Sequence, residues 1–179
     1  MKRLISTFAA LAMIAALAAP SQAQMSFGLG SVSVGAAFVS PDNVDATFGI
    51  VGGAEIGTLM ENVTARVDLM WWGKSQDVLG TDWSWRDIAI LPGARYDFPM
   101  GDGGAVTPFV NGGLGVHLFK TEFELFGQTA DASSTEIGFF VGGGADYEMS
   151  DTMTLNAFAD YHLMDLNFFA IGAGVTFDM

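Results

Sequence analysis

The segment from Phe168 to Phe177 alternates strictly between two kinds of side chain. Its odd-numbered positions are apolar, whereas its even-numbered positions after Phe168 are alanine, glycine or threonine. Because successive residues of a β-strand point to opposite sides, one face of this strand would be apolar and the other small and weakly polar. Such a strand fits a barrel immersed in lipid, with apolar side chains outside and polar groups inside.

The same alternation recurs in seven upstream segments that are separated by turn residues. No segment places a charge in the middle of its apolar face, where Arg or Lys would cost roughly 2–4 kcal/mol at the bilayer midplane. In a soluble lipocalin-like barrel, ionisable residues would instead face outward. The sequence therefore predicts an all-β fold, an eight-stranded antiparallel up-and-down transmembrane β-barrel. The predicted strands are 31–40, 48–58, 63–75, 83–98, 107–122, 134–149, 154–164 and 167–177, with outer loops that include 75–82 and 123–133.

The first residues have the pattern of a secretory signal peptide. Lys2 and Arg3 precede the apolar run Leu4 to Ala19, and small residues follow up to Ala23. This run is shorter than the ~20 residues that a membrane-spanning helix needs. We therefore expect residues 1–23 to be cleaved on export and residues 24–179 to form one outer-membrane β-barrel domain.

Composition narrows the classes of function. The 179 residues carry a formal net charge of −13, which argues against a nucleic-acid partner because phosphate binding needs clustered Lys and Arg. The chain has no cysteine, which excludes disulfides and thiol chemistry. Half of the residues are hydrophobic, yet no apolar run after the signal peptide could form a spanning helix. Alternating strands resolve this conflict only if the barrel closes, since lipid tolerates no open sheet edge.

Ionisable residues fall on the predicted inner face. Glu55 and Arg66 flank the first periplasmic turn and would lie opposite each other as a cross-strand ion pair. An eight-stranded interior is just wide enough for side chains to fill it, so this network is predicted to close the lumen. The excess of acids leaves a narrow, cation-preferring pore as the alternative. The remaining members of the predicted lumen network are Asp68, Arg95, Asp97, Asp146, Glu148, Asp160 and His162.

Aromatic residues gather near the predicted strand ends, as the interfacial girdles of a membrane barrel require. The sequence predicts an outer girdle with Trp71, Trp72, Trp83 and Trp85. The predicted periplasmic girdle contains Tyr96, Phe98, Tyr147 and Phe177.

His117, Asp160 and His162 are the remaining candidates for catalysis or metal binding. Asp160 and His162 share a face at spacing i, i+2, which makes a weak zinc hypothesis. Serine hydrolysis needs a nucleophile beside an oriented base, and no serine is placed beside either histidine. We therefore predict no enzyme, no cofactor and no metal, with a lipid-modifying enzyme as the less favoured alternative.

Two stretches carry a family resemblance. Residues 107–115, TPFVNGGLG, resemble the strand-opening segment of small outer-membrane barrels, and residues 136–147 followed by 154–156 look like their penultimate hairpin. The chain thus resembles the eight-stranded, OmpA-like transmembrane domain group of porin-like proteins. The leading hypothesis is a monomer in the Gram-negative outer membrane, in contact with its lipid and inserted by the barrel-assembly machinery. We expect a structural, envelope-stabilising or surface-interaction role, although the resemblance itself implies no single activity. Members often end in an aromatic residue, whereas this chain ends in Met179.

Overall fold

The computed structural model describes residues 25–42, 44–78, 81–100, 105–125 and 128–179. Within these ranges, only the backbone is described at residues 78, 81, 82, 124, 125, 128 and 129. The predicted signal peptide, residues 1–23, lies outside the described residues. No helix in the described part of the chain has the length and apolar content that crossing a membrane demands.

Eight antiparallel strands form a closed barrel in which each strand pairs with the next and β8 pairs with β1. This arrangement confirms the predicted fold class and strand order. The strands are β1 (Ser26–Pro41), β2 (Thr47–Met60), β3 (Val63–Val78), β4 (Thr81–Asp97), β5 (Val106–Leu125), β6 (Gln128–Ser150), β7 (Met153–Leu163) and β8 (Phe168–Asp178).

Alternation along the strands sorts the side chains as the sequence predicts. Val39 and Ala170 are fully buried in the interior, whereas Ile50 and Ile137 are exposed on the outer surface. Charged residues of the membrane-level strands lie on the inner face, where Asp87 is also fully buried. The outer surface is therefore a continuous apolar belt suited to lipid.

Two predicted outer loops are wrong, because strand pairing continues through most of them. β3 runs on to Val78 and pairs with β4 from Thr81, and β5 runs to Leu125 and pairs with β6 from Gln128. Beyond the membrane, both faces of a sheet meet water and no apolar alternation is needed. Periodicity therefore detects only the part of each strand that lies in lipid.

The outer rim of the barrel is uneven. β2 stops pairing with β3 at Trp72, and β7 stops pairing with β6 at Phe139. The four strands between these edges continue outward as a sheet, and among the described residues no further strand pairs with either of its edges. We call residues 73–78, 81–86, 119–125 and 128–138 the projecting sheet.

Candidate functional site

The lower lumen, towards the periplasmic turns, is organised around Arg66 of β3. Its guanidinium lies 2.9 Å from the carboxylate of Asp68 and 3.8 Å from that of Glu55, its cross-strand partner on β2. It also donates a 3.3 Å hydrogen bond to the hydroxyl of Ser33 on β1. One side chain therefore links three neighbouring strands.

Gly53 makes room for this cluster. It stands opposite Asp68 on β3, and a Cβ at this position would lie 1.9 Å from the Asp68 carboxylate oxygen. Only glycine leaves the carboxylate in its place beside Arg66. Gly142 has the same relation to Asp160 of β7, where a Cβ would also lie 1.9 Å from a carboxylate oxygen.

Arg95 of β4 forms the second cationic centre of the lower lumen. It donates a 2.7 Å hydrogen bond from Nε to Asp97 and forms an ion pair with Asp146 of β6. Its guanidinium also lies 3.9 Å from the ring centroid of Phe109 on β5, a cation–π contact. Arg95 is buried, so these partners replace the water that its charge has lost.

The other predicted members of the lumen network are less closely joined to it. Asp160 and His162 are buried on β7, above the two arginine centres. Glu148 is exposed at the periplasmic end of β6 and takes part in none of the ion pairs between described residues.

The upper lumen holds a buried cluster whose members the sequence predictions did not bring together. Asp87 accepts a 3.2 Å hydrogen bond from the indole Nε1 of Trp72, and Nδ1 of His117 lies within hydrogen-bond distance, 2.8 Å, of the same carboxylate. All three side chains are almost completely buried.

Aromatic rings complete this upper cluster. His162 stacks on Phe168 with ring centroids 4.0 Å apart and planes 15° apart. The ring of Phe140 also stacks on His162, with centroids 5.8 Å apart. Phe168 in turn meets the edge of Trp72 at 6.0 Å. We name Trp72, Asp87, His117, Phe140, His162 and Phe168 the upper plug. The alternation along β3 could have predicted the inward position of Trp72, because Trp72 directly follows the outward-facing Trp71.

A cavity of about 70 Å³ separates the upper plug from the two arginine centres. Arg66, Arg95, Asn111 and Asp160 contribute to its walls. Ligand pockets usually measure about 300–1,000 Å³, whereas this volume holds only a few water molecules. The cavity therefore has no room for an organic substrate.

No group of three or more potential ligand residues among the described side chains is arranged to hold a metal ion. The rings of His117 and His162 meet edge to face, with centroids 5.6 Å apart. His117 already uses Nδ1 for its bond to Asp87.

Part of the predicted aromatic girdle is wrong. Trp72 belongs to the upper plug, and Trp83 and Trp85 share the inner face of β4 with Asp87, since β3, β4 and β5 pair without a register shift in this region. Trp83 stacks on Trp85 at 5.9 Å and on Phe123 at 5.3 Å, above the plug. The position of an aromatic residue near a strand end predicts its level relative to the membrane. Whether the residue faces lipid or the lumen is decided by the alternation along the strand.

Other predicted girdle residues do lie on the outer surface. Trp71 is exposed at the outer level, and Tyr96, Phe98, Tyr147 and Phe177 are exposed near the periplasmic end. Tyr96 and Phe98 contact each other edge to face at 4.9 Å. Amphipathic rings at both levels suit the two interfaces of a bilayer.

The projecting sheet carries its own ion pairs, outside the membrane-spanning part. Lys120 lies 2.7 Å from Glu122, and Arg86 lies 3.9 Å from the same carboxylate. The hydrogen bond with Glu122 and the charge of that carboxylate raise the pKa of Lys120, and the same contact lowers the pKa of Glu122.

Barrel closure, an apolar outer belt and a charged interior together define an integral outer-membrane β-barrel of eight strands. The chain belongs to the outer membrane protein beta-barrel domain family, whose model matches residues 7–178. This membership places the protein in the outer membrane of Gram-negative bacteria.

Solved structures of other bacterial barrels share this fold. Neisserial surface protein A has 19% identity and a TM-score of 0.57, with 87% of this chain and 99% of that chain covered. Ail, the attachment invasion locus protein of Yersinia pestis, has 17% identity and a TM-score of 0.55, covering 85% and 100%. A major outer membrane protein from Thermus thermophilus has 11% identity and a TM-score of 0.64, covering 87% and 100%. Among curated proteins, none matches this sequence.

Proposed function

We propose that this protein is a monomeric, non-conducting outer-membrane barrel that presents its projecting sheet to partners outside the cell. The barrel-assembly machinery inserts it, and outer-membrane lipid surrounds it. The observation that carries this proposal is the filled lumen. Trp72, His117 and Phe168 are buried in the upper half, and Arg66 and Arg95 are paired with carboxylates in the lower half.

The projecting sheet supports the interaction role. It carries strand pairing well beyond the apolar belt, out to Leu125 and Gln128 at the tip of the β5–β6 hairpin. Ail, which has the same fold, is an attachment invasion locus protein. A role in surface interaction agrees with that relative, and the small cavity of about 70 Å³ within the lumen supports a barrel that does not conduct.

Electrical recordings separate this function from the alternative, a narrow cation-preferring pore. We expect protein purified in detergent from outer membranes to give no current steps above the bilayer background. Regular cation-selective steps would replace the proposal with the pore. A pore former added to the same bilayers serves as the positive control.

Intact cells lacking the protein provide the second test. We expect weaker binding to an external partner or weaker envelope integrity, with unchanged uptake of small solutes and unchanged lipid A. Altered lipid A that His117→Ala and His162→Ala variants fail to restore would support the lipid-modifying enzyme instead.

A further inference from the structure

Asp160 of β7 is a buried carboxylate without a basic partner. It is only 7% exposed, and none of the ion pairs between described residues includes it. Its Oδ1 also has no hydrogen-bond partner among the described protein atoms. A carboxylate that is removed from water needs a counter-charge and hydrogen bonds to replace its lost hydration. The described side chains do not supply that counter-charge to Asp160.

The two arginine centres cannot supply it either, because each already serves two other carboxylates. Arg66 lies 2.9 Å and 3.8 Å from its two partners, and Arg95 is paired with two more. The lower lumen therefore holds four carboxylates around two guanidinium groups before Asp160 is added. Because the excess charge is negative, the lumen attracts a small cation in spite of the arginines.

The carboxylate of Asp160 lies over Gly142, on the side that faces Asn111. Gly142 of β6 is paired with Asn111 of β5 on one side and with Asp160 of β7 on the other. A Cβ at Gly142 would lie 1.9 Å from Oδ1 of Asp160, so the missing side chain lets this carboxylate extend across β6. The side-chain amide of Asn111 interacts with it, and the amide oxygen of Asn111 is also buried without a partner. Two unpartnered oxygen atoms are thus brought to the same part of the lumen.

This part of the lumen is the cavity of about 70 Å³, whose wall includes both Asp160 and Asn111. Ser33 and Asn156 add a hydroxyl group and a second amide to the same wall. The amide nitrogen of Asn156 donates a 3.0 Å hydrogen bond to Thr176, which leaves its oxygen as an acceptor. Carboxylate and amide oxygens together with water are the ligands that hard metal ions prefer. The cavity has the space and the oxygen atoms for one such ion.

Charge and donor set select a monovalent ion. Calcium takes six to eight oxygen ligands, with carboxylates prominent among them. Among the described side chains, no three carboxylates or histidines converge in this way. A single positive charge instead matches the single carboxylate that has no basic partner. A proton on Asp160 is the competing way to remove the charge, and the experiments below separate the two.

We propose that the cavity binds one monovalent metal ion of the size of sodium, held between Asp160 and Asn111 with water as the remaining ligand. The ion balances the charge of Asp160 and joins β5 to β7 across Gly142 from inside the barrel. This site goes beyond the proposed function, which concerns the outer surface and the absence of conduction.

A matched pair of variants tests the site by direct binding. Asp160→Asn keeps the size of the side chain and removes its charge, whereas Asp165→Asn makes the same change on the exposed β7–β8 connection. Each protein is purified in uncharged detergent from outer membranes and dialysed to equilibrium against radioactive sodium. Excess N-methylglucamine chloride suppresses diffuse binding to the loops, and its cation is too large for the cavity.

We expect the wild-type protein and Asp165→Asn to bind about one sodium ion more per barrel than Asp160→Asn, since one carboxylate lacks a counter-charge. Equal binding by all three proteins would overturn the proposal.

The stability of the wild-type protein provides a second measurement that needs no variant. Urea unfolding in lipid vesicles is compared in sodium chloride and in N-methylglucamine chloride at the same ionic strength. Above the dissociation constant, the ratio of folded to unfolded protein should rise about tenfold for each tenfold increase in sodium, as the binding of one ion to the folded state requires. Identical stability in the two salts would overturn the proposal in favour of a protonated Asp160.

Bilayer recordings on the same preparation test the proposed function separately. A silent barrel that binds no sodium contradicts only the ion site, and a conducting barrel that binds one sodium ion contradicts only the absence of conduction.

Discussion

Trp71 and Trp72 are neighbours in the chain but face opposite environments. Trp71 is 47% exposed on the outer surface, whereas Trp72 is completely buried inside the barrel. We expect Trp72→Ala to lower the free energy of unfolding by about 3–5 kcal/mol, the usual cost of deleting a buried large aromatic ring. Trp71→Ala should cost less, since no interior cavity forms. Urea unfolding in lipid vesicles, followed by circular dichroism, measures both variants.

Lipid quenching gives a control on the orientation of these two rings. In single-tryptophan variants, lipids brominated near their headgroups should quench the fluorescence of Trp71 and leave that of Trp72 almost unchanged. Equal quenching would contradict the assignment of Trp72 to the lumen.

The adjacent glycines Gly52 and Gly53 allow a comparison of the two faces of β2. A Cβ at Gly53 would collide with the Asp68 carboxylate, whereas a Cβ at Gly52 would meet only the carbonyl of Ser33 at 3.5 Å. Gly53→Ala should cost about 1–3 kcal/mol, the usual range for overpacking. Gly52→Ala should stay within about 0.5 kcal/mol, as surface changes do. Chemical denaturation measures both, and equal effects would contradict the described fit between Gly53 and Asp68.

Arg95 and Arg86 allow a comparison of a buried and an exposed ion pair on the same strand. Arg95→Gln should cost about 3–5 kcal/mol, because Asp97 and Asp146 would lose their cationic partner inside the barrel. Arg86→Gln should cost about 0–1 kcal/mol, since its side chain is 55% exposed and lies 3.9 Å from Glu122.

A double variant tests the cause of the loss at Arg95. Adding Asp146→Asn to Arg95→Gln should recover part of the lost stability, because it removes one of the stranded negative charges. Strictly additive losses in the unfolding free energy would show that the two residues act independently.

The exposed pair of Lys120 and Glu122 should contribute to stability within a defined pH range. The pKa of Glu122 is lowered from 4.5, so its contribution is present above that value and is lost as the pH falls through the lowered pKa. The pKa of Lys120 is raised from 10.5, so its contribution is present below that value and is lost as the pH rises through the raised pKa. A double-mutant cycle with Lys120→Gln and Glu122→Gln should therefore show coupling at pH 7 that weakens as the pH falls towards 2. Coupling that persists unchanged at pH 2 would contradict this pairing.

Period-two alternation was sufficient to predict the barrel and the side of most residues. It works because lipid imposes one chemical requirement on every second residue of each spanning strand. The predicted pairing of Glu55 with Arg66 is confirmed, although the short turn alone does not set it. Two register shifts, between Glu55 and Gly57 and between Thr58 and Met60, bring the two residues opposite each other.

Other features depend on more than alternation. The upper plug joins Trp72, His117 and Phe168 from three strands that are far apart in sequence, and only the closed geometry brings them together. The outer ends of β5 and β6 lie in water on both sides, where alternation has no physical cause. Their extent is fixed by pairing with each other, which no single segment reveals.

The uneven rim also has a mechanical consequence. β3 to β6 pass from the spanning wall into the projecting sheet without a break in their backbone, so a load applied at the tip runs along the strands and meets no hinge. Such a force acts along the strands and loads many interstrand hydrogen bonds at once instead of breaking them one by one. A molecule tethered there would be anchored with the strength of the entire barrel wall.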